Sequence, residues 1–257
     1  MNASHDYQRV YVWQLPVRLF HQINALCITV LCVTGWLISH PPGFLNAGEA
    51  SSGYWFGTNR FIHFAAGYVL LANFLVRIYW SFVGNKYSNW RNFLPLTMAQ
   101  IRQCRDVLLV DILQVRSRPV HALGHNAVAY FTYAGTGLLT VFQIVSGFAL
   151  YAPTSRAWFP RLFTWVTPLF GSEQNLRLFH YDAMWLFILF VVVHVYLVVY
   201  HDYVEGHGVL SSIIGGWKFM EKRTVAAPDA TGISGLPARK APAVPVVPGT
   251  KTHPTRP

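Results

Sequence analysis

Residues 179–200 read FHYDAMWLFILFVVVHVYLVVY, an apolar run interrupted by one acidic residue, Asp182, and by His180 and His194. A helix needs about 20 residues to cross a hydrocarbon core of about 30 Å, so the run is long enough to span a membrane. Its two histidines are fourteen positions apart. At about 100° and 1.5 Å per residue they return to nearly the same face, about 21 Å apart along the axis. One helix face therefore offers imidazole at two depths.

Three further stretches, 17–39, 61–83 and 127–151, have the same length and character. The expected fold is an all-α membrane protein, a four-transmembrane-helix bundle. Between the spans lie an N-terminal segment (1–16), loops at 40–60, 84–126 and 152–178, a juxtamembrane segment (201–225) and a tail (226–257). Within 84–126, residues 101–115 mix apolar and charged side chains and suit an interfacial helix. The 152–178 loop is rich in Trp, Phe and Pro, as an interfacial or partner-facing cap would be. The Pro-rich tail is expected to be disordered.

Composition agrees: 53% of the 257 residues are hydrophobic and 12% charged, against about 25% charged in soluble domains. Basic residues fix an expected orientation, because Lys and Arg are retained on the cytoplasmic side. The start up to Arg18 has two, 84–126 has six and the stretch after Tyr200 has seven, against one in 40–60 and three in 152–178. Both termini are therefore expected in the cytoplasm, with 40–60 and 152–178 periplasmic. The net charge of +10 then reflects topology and anionic lipid; no soluble basic module points to nucleic acid. No cleavable signal is recognisable before Val17, so the first span reads as an uncleaved anchor. Cys27, Cys32 and Cys104 lack metal-type spacing, and no Cys-x-x-Cys-His occurs, which argues against covalent haem.

Topology assigns partners to the two imidazoles. The first span runs outward, so His21 begins it near the cytoplasm; the second returns, so His63 begins it near the outside. The fourth also runs inward, which pairs His180 with His63 and His194 with His21, His194 lying somewhat deeper than His21. Two axial imidazoles per iron describe a low-spin haem suited to electron transfer, and the bundle is expected to enclose two b-type haems. Each histidine alone could instead bond a neighbouring helix, but four at two matched depths favour the haem reading.

Small residues mark haem-facing surfaces. Gly35 is fourteen residues after His21, on its face but at the outer level, and Gly67 is one turn after His63. Arg77, fourteen after His63, suits either a haem propionate or snorkelling from a helix end. Gly135, Gly137 and Gly147 suit close helix packing. Gln143, strongly polar within the third span, suits either a propionate or a neighbouring helix. Near the cytoplasmic ends, His125, His201, Asp202, Glu205 and His207 could supply protons or be solvated helix ends, and no side chain stands out as catalytic.

The stretches VYVWQLPVRLFH (10–21), RFIHFAAGYVLL (60–71), VRIYWSFVGNKYS (76–88), GHN (124–126), SGFALY (146–151) and HYDAMWLFILFVVVHVY (180–196) resemble the b-type cytochrome subunit of membrane-bound nickel-iron uptake hydrogenases. That family is related to the cytochrome subunit of respiratory formate dehydrogenase. The resemblance covers roughly Val10 to Lys218. It implies His63 and His180 as ligands of the outer haem and His21 and His194 of the inner one. It further implies electrons received from the iron-sulfur small subunit of a hydrogenase, whose large subunit splits hydrogen, and delivery to a membrane quinone across the bacterial inner membrane. Asn126 in GHNA is similar to an Asn that helps bind menaquinone in the formate dehydrogenase subunit, and a helix cap is its other reading. With His201 and Glu205 it makes up the quinone-site candidates. A formate dehydrogenase cytochrome, another quinone-linked enzyme and a haem-free anchor or transporter are the alternatives. The spans lack the paired acidic residues and broken repeats of transporters.

Overall fold

The computed structural model describes residues 7–43, 53–85, 88–89, 127–205 and 208–221. A short strand, β1 (Tyr7–Tyr11), leads into α1 (Leu15–Ser39), then α2 (Trp55–Val83) and α3 (Ala127–Tyr151). After a 3-10 turn at Ala152–Thr154 come two single-turn helices, α4 (Trp158–Arg161) and α5 (Val166–Leu169). The long α6 (Glu173–Glu205), α7 (Val209–Gly215) and β2 (Trp217–Glu221) complete the order. Four of these helices are long and apolar enough to cross a membrane. Leu26, Leu75, Leu138 and Val192 on them are exposed, as lipid-facing side chains would be.

Two of the helices outrun their apolar spans. α2 starts at Trp55, six residues before 61, because Gly57, Thr58, Asn59 and Arg60 continue the helix without being apolar. α6 has 33 residues, about 50 Å at 1.5 Å each, so it projects beyond a hydrocarbon core of about 30 Å. The helix ends have local causes. Pro16 occupies the first turn of α1, where its missing N–H costs nothing. The Gln14 side chain ties the start of α1 to the end of α2, accepting from Trp80 Nε1 (3.1 Å) and the Asn85 backbone N–H (2.9 Å).

The 152–178 segment forms a helical cap over one end of the bundle. Its own Pro160, Val166 and Leu176 are buried, and its Phe159 and Phe163 pack on Phe148, with ring centroids 5.1 and 5.5 Å away. Trp158 and Trp165 remain exposed.

At the opposite end the segments flanking the bundle meet. β1 and β2 pair antiparallel, from Tyr7 against Glu221 to Tyr11 against Trp217. Gly216 turns the chain into β2 at φ 87°. A Cβ there would lie 2.6 Å from the Tyr11 ring and 2.8 Å from the Trp13 carbonyl oxygen, so only glycine fits. The Gly216 carbonyl accepts from the backbone N–H groups of Val12 (2.9 Å) and Trp13 (3.1 Å). Arg18 donates to the Ile214 carbonyl, and the Arg9 guanidinium lies 4.3 Å from the Trp217 ring. The flanks of α1 and α6 thus share one end of the bundle, called inner below; the capped end is called outer. The interfacial helix expected at 101–115 and the Pro-rich tail lie outside the described residues.

Candidate metal centre

α1 packs most extensively on α2, and α3 on α6, while contact between these two pairs is sparser. The pairs enclose a cavity of about 780 Å³ toward the outer end, lined by Gly35, His63, Gly67, Gln143, Gly147 and His180 among others. That volume lies within the ~300–1,000 Å³ range of cofactor sites.

The four histidines meet in two pairs. His63 and His180 have ring centroids 6.5 Å apart with planes at 71°; His21 and His194 are 6.3 Å apart at 48°. A metal between two imidazole nitrogens requires about 2.0–2.1 Å on each side, and each nitrogen lies about 1.1 Å from its ring centroid, giving roughly 6.3 Å in all. Both separations therefore suit one iron per pair. Among the described residues no three His, Cys, Asp or Glu side chains converge as a metal site. A group bringing its own equatorial nitrogens, as haem does, needs only two axial donors.

Glycines make room beside the outer imidazoles. A Cβ on Gly35 would lie 3.2 Å from His63 Cε1, and one on Gly147 would lie 3.3 Å from His180 Cε1. Gly147 thus serves His180, whereas Gly135 and Gly137 face open space and not the close helix contact expected of them. Gly67 lines the cavity, with nothing within 4 Å of its Cβ position.

Hydroxyls next to two of these glycines orient the same rings. His63 Nδ1 lies 2.8 Å from Thr34 Oγ1, which donates its proton to the Val30 carbonyl at 2.6 Å. His180 Nδ1 lies 2.7 Å from Ser146 Oγ, which donates to the Phe142 carbonyl at 2.6 Å. Each hydroxyl proton is already committed, so the imidazole Nδ1–H donates and Nε2 keeps its lone pair for a metal. Gln143 Nε2 donates to the His180 carbonyl (3.1 Å), and its buried Oε1 has no hydrogen-bond partner among the described residues. Gln143 therefore engages a neighbouring helix while lining the cavity.

Two asparagines hold α1 to α2. Buried Asn59 donates to the Thr34 carbonyl (3.0 Å) and buried Asn73 to the Phe20 carbonyl (3.1 Å), one beside each imidazole level. Arg77 does not snorkel: it is buried, with Nε donating to the Tyr133 hydroxyl (2.6 Å) and Nη1 to the Ser88 carbonyl (3.3 Å). Its guanidinium also lies 5.7 Å from the Phe20 ring, next to His21. At the outer level, His40, Arg60 and Arg177 line the cavity, although the sequence showed the two arginines only as loop charge. Arg177 is paired with Glu173 at 2.6 Å.

At the inner end, Asp202 Oδ1 accepts from the Leu210 backbone N–H (3.2 Å) and so links α6 to α7. His201 and Glu205 fall in the final turns of α6, and their side chains, with Asn126, His125 and His207 altogether, lie outside the described residues. His21 Nδ1 is buried and has no partner among the described residues. The paired donors, the glycine recesses and the tautomers set at the outer pair together fit haem.

The family model for prokaryotic cytochrome b561 matches residues 12–216. A protein of Azotobacter vinelandii named "Probable Ni/Fe-hydrogenase B-type cytochrome subunit" is 40% identical, over 82% of this chain and 89% of its own length. One of the same name from Cupriavidus necator is 37% identical, over 81% and 86%. A "Probable Ni/Fe-hydrogenase 1 B-type cytochrome subunit" of Escherichia coli (strain K12) is 35% identical, over 81% and 90%.

Proposed function

The chain belongs to the prokaryotic cytochrome b561 family, and from that premise we propose that it is the dihaem membrane subunit of a nickel-iron hydrogenase. It carries electrons from the hydrogenase's iron-sulfur small subunit to a membrane quinone. The observation that carries this reading is the pairing of four imidazoles at two levels, with ring-centroid separations of 6.5 and 6.3 Å.

Haem, when bound, supplies one-electron iron chemistry whose potential follows from axial ligands, burial and hydrogen bonding. His63 and His180 would hold the outer group, with Gly35, Gly67 and Gly147 admitting it; His21 and His194 would hold the inner one, and the buried guanidinium of Arg77 would supply a positive charge for a propionate. Surrounding apolar side chains exclude water. Both termini lie in the cytoplasm, supported by the basic-residue asymmetry and by the β1–β2 pairing that puts both flanks at one end. Quinone is reduced at that inner end, where Asn126, His201 and Glu205 are the proposed contacts. Hydrogen splitting takes place on the large subunit, and the host membrane is the bacterial inner membrane.

The names of the relatives favour hydrogenase over formate dehydrogenase as the donor. Purification of the chain in gentle detergent tests this. A dithionite-reducible b-type spectrum, two haems per chain and copurifying nickel-iron and iron-sulfur subunits are expected. A copurifying molybdenum enzyme would overturn the donor, and absence of a b-type spectrum would overturn the cytochrome reading.

A further inference from the structure

The two outer imidazoles are served in the same way from different helices. On α1 the dipeptide Thr34-Gly35, and on α3 the dipeptide Ser146-Gly147, each place a hydroxyl at Nδ1 and a bare Cα beside Cε1 of the facing histidine. Each hydroxyl gives its own proton to the carbonyl four residues earlier, so it can only accept from the ring. At the inner pair, His21 Nδ1 finds no such partner among the described residues.

We propose that Thr34 and Ser146 are positioning residues that lower the reduction potential of the outer haem relative to the inner one, biasing electron transfer inward. This rests on the dihaem reading above. An imidazole whose Nδ1–H donates to an oxygen acceptor carries more electron density on Nε2 and is a more basic ligand. It therefore favours the ferric over the ferrous iron and resists reduction. The two bonds also fix the rotation of both rings, holding the 71° between their planes.

The test is a spectroelectrochemical titration of the purified complex carrying Thr34→Val and Ser146→Ala, separately and together. His180→Ala identifies the outer component as the one it removes. The double variant is expected to raise the outer midpoint, on the order of a tenfold change in the reduction equilibrium, which is about 59 mV for one electron. The inner midpoint is expected to stay in place. The low-spin ferric EPR signal of the outer haem, whose anisotropy follows the angle between the axial rings, is expected to broaden. Thr34→Ser, which keeps the acceptor, should retain the wild-type potential. Unchanged midpoints, or equal movement of both, with both haems bound would overturn the inference. So would loss of the outer haem from Thr34→Ser as well as Thr34→Val, because that would assign Thr34 to packing alone. A wild-type protein that binds no haem refutes the functional reading itself, and this inference with it.

Discussion

Replacing Gly35 with Ala tests whether the recess beside His63 exists for a ligand. The added methyl would lie 3.2 Å from His63 Cε1, 3.7 Å from Nδ1 and 3.9 Å from Met184 Sδ. Optimal carbon–carbon contact is about 3.5–4.0 Å, so the imidazole would have to retreat by roughly 0.3–0.8 Å. Thr34 opposes that retreat, since its hydroxyl holds Nδ1 at 2.8 Å from the adjoining residue. Metal–ligand distances tolerate only about ±0.2 Å, so the displacement should weaken outer-haem binding on the order of tenfold, the scale of damage from a disturbed ligand shell. Backbone propensity acts in the opposite direction, favouring Ala over Gly in a helix by about 0.8–1.0 kcal/mol. Loss of haem with the helices intact would therefore report the imidazole and not the fold. The assay is haem per chain from the reduced-minus-oxidised spectrum, alongside thermal unfolding followed by circular dichroism. Gly57→Ala is the control, since a Cβ there meets nothing within 4 Å. If Gly35→Ala keeps both haems and an unaltered spectrum, the steric argument is wrong.

Replacing His180 with Ala should remove the outer haem, and replacing His194 with Ala the inner one; two haems retained in either variant would refute the pairing. Asn59→Leu and Asn73→Leu should each lower stability by roughly 0.6–1.7 kcal/mol, the range for hydrogen bonds between membrane helices, read as a loss of unfolding temperature in detergent. Gly216→Ala should cost at least the ~1–2 kcal/mol of a left-handed residue and release β2 from β1. Faster proteolysis near residue 217 with unchanged haem content would bear this out, and an unchanged cleavage rate would count against the turn.

The spans were legible because membrane burial leaves a long apolar run, as in 179–200, that needs no partner to be recognised. The helical extensions were less so: Gly57, Thr58, Asn59 and Arg60 carry no apolar signal, yet helical hydrogen bonding continues through them once α2 has formed. The β1–β2 sheet was not legible at all. Its strands, YQRVY and WKFME, are five residues each, and each finds its partner at the far end of the chain. Within the site, histidine spacing and orientation suggested which imidazoles would face each other, because phase along a helix follows from counting. Thr34 and Ser146 escaped notice because a hydroxyl in a membrane helix ordinarily bonds its own preceding turn, as both also do here. The dipeptides Thr34-Gly35 and Ser146-Gly147 were the available signal, and they acquire meaning only when opposed to histidines on other helices.

Two asparagine rungs tie α2 to α1. Asn59 and Asn73 are fourteen residues apart, as are the carbonyls of Phe20 and Thr34 that they grip, and fourteen residues is two heptads. A straight helix drifts about 20° per heptad, so the second rung would be rotated some 40° from the first. Over longer spans, left-handed winding of one helix around the other, the supercoil of a two-stranded rope, is what keeps such rungs on one neighbour. The same count sets a rule for lengthening such a conductor. A further rung would need a spacing that returns to the same face, about seven, eleven or eighteen residues on, whereas a two-residue insertion, about 200° around the helix, would turn it toward lipid.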